Sequence, residues 1–189
     1  QYNLDDLADV QMYQSVDFVA KVHQMAHGVC SRKWSASAHD AALEEAVFLA
    51  NVALPVSESL EKAMSSGASS SLEPQEKSRQ KLLGLKAVLL GQLNKFDECL
   101  MVTQQLIQCF PHPPKLDEHA VAVVKALELK SKALFHLQKH EKALISLNQA
   151  LELLDQLKSP ELGKTAQDTR QRLVSAMNRC ESEIERQRA

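Results

Sequence analysis

The chain has 189 residues, 44% apolar and 24% charged, enough to bury a core in one or two domains. Its 22 basic and 24 acidic residues are interspersed and leave a formal charge of −2, so no field of one sign gathers a polyanion or an anionic bilayer, and neither nucleic acid nor membrane is expected as a partner. Five glycines and six prolines leave long stretches free for helix, and nothing alternates as a strand would, so the fold class is all-α.

The longest apolar run, Ala46 to Val56, is interrupted by Asn51 and Pro55 and is too short to span a bilayer. No secretory signal opens the sequence. Because the first residue is glutamine, a piece of a longer protein is expected, and the missing signal then says little about the parent. Cys30, Cys99, Cys109 and Cys180 show no paired spacing, and two of them sit on expected core faces. That points to reduced thiols and to a cytoplasmic or nuclear location.

In chain order, Asn3 can cap a first helix whose opening turn holds Asp5 and Asp6, both favourable against the helix dipole. Leu4, Leu7 and Val10 begin its stripe, and Phe18, Val22, Met25 and Val29 continue one. Gln11 and Gln14 between them imply a break near Ser15 or an exposed turn, and Gly28 is the expected terminator. Trp34, the only tryptophan, is expected to plug the joint to the next helix. Ser37 or Asp40 can start that helix, with Ala42, Ala46, Leu49 and Ala53 spaced for close packing. Pro55 should bend or end it, and Ser57 to Met64 is a short continuation.

The stretch SSGASSS, Ser65 to Ser71, has the composition of a flexible connection. Pro74 sits near a new helix start with Glu73 and Glu76 in the first turn. One helix then runs to about Leu93, and the next from Phe96 to Phe110. Pro111-His112-Pro113-Pro114 cannot continue it. Asp117 can cap a helix to about Gln138, Glu141 opens its partner, and Ser159-Pro160 restarts the chain. The last helix can reach residue 187 on one narrow stripe of Leu162, Ala166, Thr169, Leu173, Met177, Cys180 and Ile184.

Within this series one hairpin is written twice. Residues 89–100 read LLGQLNKFDECL, and 133–144 read ALFHLQKHEKAL. The same offset of forty-four matches Lys81 with Lys125, Leu83 with Leu127, Leu90 with Leu134, Leu93 with Leu137, Lys95 with Lys139, Leu100 with Leu144 and Gln105 with Gln149. Each copy, 81–110 and 125–154, carries a helical stripe, a polar corner and a second stripe, as two antiparallel helices would. A four-helix bundle is the alternative outcome of the same spacing.

On these residues the chain resembles the tetratricopeptide repeat (TPR) family. Leu83, Ala87 and Leu90, then Leu127, Ser131 and Leu134, match the large and small positions of that family's first helix. Cys99 and Ala143 supply the small residue after the corner, with Ala150 later in copy two, and Pro111 falls where a repeat often ends. The family period is about 34 residues, ten shorter than this offset, its tryptophan is leucine in both copies, and Asp155 replaces the closing proline of copy two.

The fold implied is antiparallel hairpins stacked as a short TPR-like α-solenoid with a long C-terminal capping helix, greasy on one side and wet on the other. Residues 1–64 are then N-terminal helices packing on or preceding the repeats, 65–73 a serine-rich linker or loop, and 74–189 two hairpins plus the cap.

The resemblance also implies a function: a non-catalytic scaffold whose concave groove binds a peptide or amphipathic helix of another protein. Carried over by the match, the groove shows Gly84, Val88, Gly91 and Gln92 from copy one and Lys125, Glu128, Lys132, Phe135 and His136 from copy two. Chaperone-binding members hold a terminal carboxylate with lysine and asparagine, where this sequence has Gly84 and Val88, so a chaperone carboxylate clamp is not expected. Gly84, Val88 and Gly91 form a track nearly free of side chains, open to an apolar helix of a partner or of residues 1–64. The alternative function is an architectural bundle or a domain that dimerises a larger protein through 160–187.

No phosphate-binding glycine loop, GxSxG or HExxH motif is present. His23, His27 and Cys30 share one helix face within reach of one ion, but closed structural sites usually carry more cysteine, and no metal is expected. His136 and His140, one turn apart, read as partly exposed surface. No pair of carboxylates is placed to split its pKa values. Neither catalysis nor a cofactor is expected.

Overall fold

A computed structural model of the protein describes residues 4–31, 36–65, 76–111, 114, 117–157 and 163–188. Among them all regular structure is α-helical: α1 (Leu4–Ser31), α2 (Ala36–Ser65), α3 (Glu76–Gln92), α4 (Phe96–Gln108), α5 (Asp117–His136), α6 (His140–Asp155) and α7 (Gly163–Arg188). None of these helices is long and apolar enough to cross a membrane. Trp34, nearly all of the serine-rich stretch with Pro74, and Ser159-Pro160 lie outside the described residues. The chain divides into two compact units, Gln1–Leu93 and Asn94–Ala189, so α3, expected to open the repeats, belongs by its packing to the first unit.

In the first unit α1 is continuous through Ser15 and extends three residues past Gly28. Its buried stripe is Val19, Val22 and Ala26, while Met25, expected inside, is 51% exposed. The face turns toward Ala26 because an alanine lets neighbouring backbones approach where methionine would hold them apart. α2 continues past Pro55, which therefore does not end it. Proline removes one backbone donor, at a cost of about 3 kcal/mol in a helix interior. Here Asn51, whose carbonyl loses that partner, and Pro55 are both exposed, so water satisfies the freed group. The far side of α2 buries Ala50, Ala53, Ser57 and Leu60, which holds the helix together across the proline. Ala53 and Leu60 join Val19 and Val22 of α1 and Leu82 of α3 in one apolar cluster.

In the second unit each helix packs on the next, α4 on α5, α5 on α6 and α6 on α7. α4 and α5 are antiparallel: Lys130 Nζ donates to Gln104 Oε1 at 3.0 Å, and further along the His136 ring stacks on Phe96 with centroids 4.3 Å apart. α7 lies antiparallel along α6, held near one end by Arg170 and Asp155 and at the other by Arg188 and Glu141, 3.3 Å apart. Its buried or half-buried residues are Ala166, Thr169, Leu173, Ala176, Met177, Cys180, Glu183 and Ile184, so the capping stripe faces inward.

The two corners share one backbone. In the first, Leu93 N–H donates to Leu89 O, Asn94 is left-handed at φ 56, and Cys99 N–H donates to Lys95 O. In the second, Leu137 N–H donates to Ala133 O, Gln138 has φ 57, and Ala143 N–H donates to Lys139 O. Lys95 and Lys139 precede α4 and α6 without a side-chain cap. Burial follows the same offset. At every position from 81 to 110 except Val88 and Phe96, the side chain is buried, half-buried or exposed as its counterpart is in 125–154.

The Phe96 counterpart is His140, which is 6% exposed rather than the surface residue expected. As the first residue of α6 it turns under the corner and meets Phe135 edge-on, with centroids 4.9 Å apart.

A left-handed non-glycine residue costs roughly 1 kcal/mol or more, and asparagine tolerates that region better than glutamine. Gln138→Gly should therefore raise the urea midpoint, and by more than Asn94→Gly does. Leu147 is fully buried, so Leu147→Ala should cost roughly 2–5 kcal/mol in the same measurement; a loss below about 1 kcal/mol would contradict its burial.

Candidate functional site

A polar groove in the second unit lies between α5 and α7. Helical spacing brings Lys125, Glu128, Lys132, Phe135 and His136 onto one side of α5. The Arg172 guanidinium on α7 donates to both Glu128 oxygens, at 3.2 and 3.4 Å, and to Thr169 Oγ1 at 3.3 Å. Further along both helices, Phe135 faces Val174, Asn178 and Arg179 across a groove of about 560 Å³. Contacts that advance together along the two helices make α5 and α7 parallel, as alternate helices of a stack must be.

The ion pairing gives this groove its sign. Glu128 is spent on Arg172, and Glu183 on Arg186 at 2.7 Å. Lys125, Lys132 and Arg179 have no carboxylate partner among the described residues. The pair with Arg172 is partly exposed and contributes at most about 1 kcal/mol, so its main effect is to neutralise Glu128 on this side of α5, which also carries Asp117 and Glu118 in its first turn. What remains is a basic groove with an apolar floor of Phe135 and Val174.

His136 sits at the other edge of the face, exposed and stacked on Phe96 of α4. Of the copy-one residues, Gly84, Val88 and Gly91 are half-buried and Gln92 is exposed, all in the first unit. The track they form lies about 200° around α3 from Leu82, at 100° per residue, so the α1–α2 cluster that Leu82 joins is on the opposite side.

Sequence reasoning missed the α7 wall, having assigned that helix a capping or a dimerising role. A signal was present, since Arg172 follows Glu128 by the same forty-four residues and carries the opposite charge.

Among the described residues no three of His, Cys, Asp and Glu are placed to hold a metal ion, and the Cys30 side chain lies outside them. His23 is half-buried, and burial first, then Lys81 and His27, push its pKa below the usual histidine value. The same Lys81 ammonium would repel a cation held there. Burial pushes the Cys99 and Cys180 thiols up, which keeps them protonated and poor nucleophiles at neutral pH. No protein family, curated protein or solved structure matches the chain.

His23 gives a pH dependence of known sign. Its folded pKa lies below the ordinary 6.5, so the unfolded chain takes the proton more readily. The stability involved is fully present above 6.5 and is lost as pH falls through that value toward the folded pKa. Urea midpoints at about pH 7.5 and about pH 5 should therefore converge in His23→Gln relative to the parent. An unchanged gap would remove His23 as its source.

Proposed function

We propose that this chain is a non-catalytic protein-interaction scaffold, a TPR-like module that holds a segment of another protein in the groove between α5 and α7. The carrying observation is that groove's composition: Phe135 and Val174 form an apolar floor, Arg179 lines it without a carboxylate partner, and Lys132, with Lys125 two turns further back, shares the Phe135 side of α5. A matching segment places an apolar side chain on the floor and carboxylates against the cations, so that charge steers the encounter and the apolar contact slows release.

The repeat reading is supported by the twin left-handed corners and by burial recurring at one offset in 81–110 and 125–154. In such a stack alternate helices line one side, which is where α5 and α7 stand. The protonated thiols at Cys99 and Cys180 accord with an absence of chemistry. Self-association through 160–187 is less favoured, because the exposed side chains of α7 are polar or charged apart from Val174.

The test is capture of partners on the immobilised chain, compared with a Lys125→Glu, Lys132→Glu variant of unchanged thermal stability. Two opposed charges should weaken a specific partner about tenfold or more, and Phe135→Ala should release it as well. Identical capture on all three proteins would take the groove out of consideration.

A further inference from the structure

A second groove lies on the other side of α5, between α4 and α6, with a volume of about 650 Å³. Leu100 and Leu134 form its floor, and Met101 and Ile145 stand on its rims, 62% and 58% exposed. Met101 and Ile145 are forty-four residues apart, so the rims are the same position of the two copies. Both charged residues that line it, Lys130 and Lys142, are basic.

The first unit carries a surface of complementary character. On α2, Phe48 and Val52 stand one turn apart and are 63% and 44% exposed, which is unusual for side chains of this size. Glu45 is exposed on the same side, just N-terminal to them. No lysine or arginine occurs in α2 before Lys62. An apolar ridge with an acidic approach and an apolar groove with basic walls match in shape class and in sign.

We propose that the chain associates with itself head to tail, the Phe48–Val52 ridge of one copy seating in the α4–α6 groove of the next. Glu45 then approaches the lysines, and the exposed faces of Phe48, Met101 and Ile145 leave water together. Ridge and groove are different surfaces of one molecule, so the contact is heterologous and copies add until a ring closes. Both surfaces are small, which places the contact at the weak end of specific interfaces. This inference does not rest on the α5–α7 groove.

Sedimentation equilibrium of the full chain from about 5 to about 500 µM covers the range in which so small an interface associates. The average mass should climb with concentration and fall back at high salt. Phe48→Asp alone, and Met101→Asp with Ile145→Asp, should each remain monomeric with unchanged helical circular dichroism and melting, since all three residues are exposed. Mixed in equal amounts, the two variants retain one intact ridge and one intact groove between them and should form a one-to-one dimer and nothing larger. Lys125→Glu, Lys132→Glu should associate as the parent does. The proposal is overturned by a parent that stays monomeric throughout, by either monomer variant associating like the parent, or by a mixture that stays monomeric.

Discussion

Close approach of helices at small side chains is the constraint on which the rest of this structure depends. Ala50, Ala53, Ala87, Ala126, Ala143 and Ala150 have no exposure at all, as residues at a close approach of helices would. Leu43, Leu82, Leu89, Leu90, Leu147 and Leu173 are fully buried as well, and small neighbours leave room for them. A larger residue at a crossing would separate the backbones and open voids around those leucines, at a cost of about 1–3 kcal/mol for overpacking. The similarity between residues 81–110 and 125–154 therefore lies in where side chains are small and buried more than in which residues are identical. Cys99 against Ala143 and Ala87 against Ser131 keep the size and change the chemistry.

Charge acts differently, by setting register. Arg170 with Asp155 and Arg188 with Glu141 fix where α7 lies along α6, and Arg172 with Glu128 ties it to α5. All are exposed or partly so, where such pairs contribute little to stability. Pairing Glu128 takes up the carboxylate nearest Lys132 on the side of α5 that faces α7.

The two sides of α5 thus differ in kind. One joins α7 in a polar, basic groove, and the other forms the floor of an apolar groove between α4 and α6. A helix in the middle of a stack buries two opposite flanks against its neighbours and leaves two strips open. The residues on those strips are free of packing constraints, so they can differ between copies while the flanks cannot. Val88 against Lys132 is such a difference, with the burial state changing along with the residue.

The amino-acid sequence by itself determined the all-helical class, the corners near residues 94 and 138, and the inward stripe of α7. These follow from spacing along a single helix, which is a local property. The resemblance to the TPR family marked five residues of α5, and positions three and four apart share one side of a helix. Only tertiary structure decided that α2 continues through Pro55, because the lost hydrogen bond falls on a solvated side while the opposite side is held by packing. The burial of His140 was likewise invisible, being set by Phe135 meeting it across the corner. Glu128 looked like an available acid until α7 brought Arg172 against it, and the α7 wall of the groove depended on which helix that stripe would cover. Each of these outcomes depends on what stands opposite a residue in space, and helical periodicity specifies only which way the residue faces.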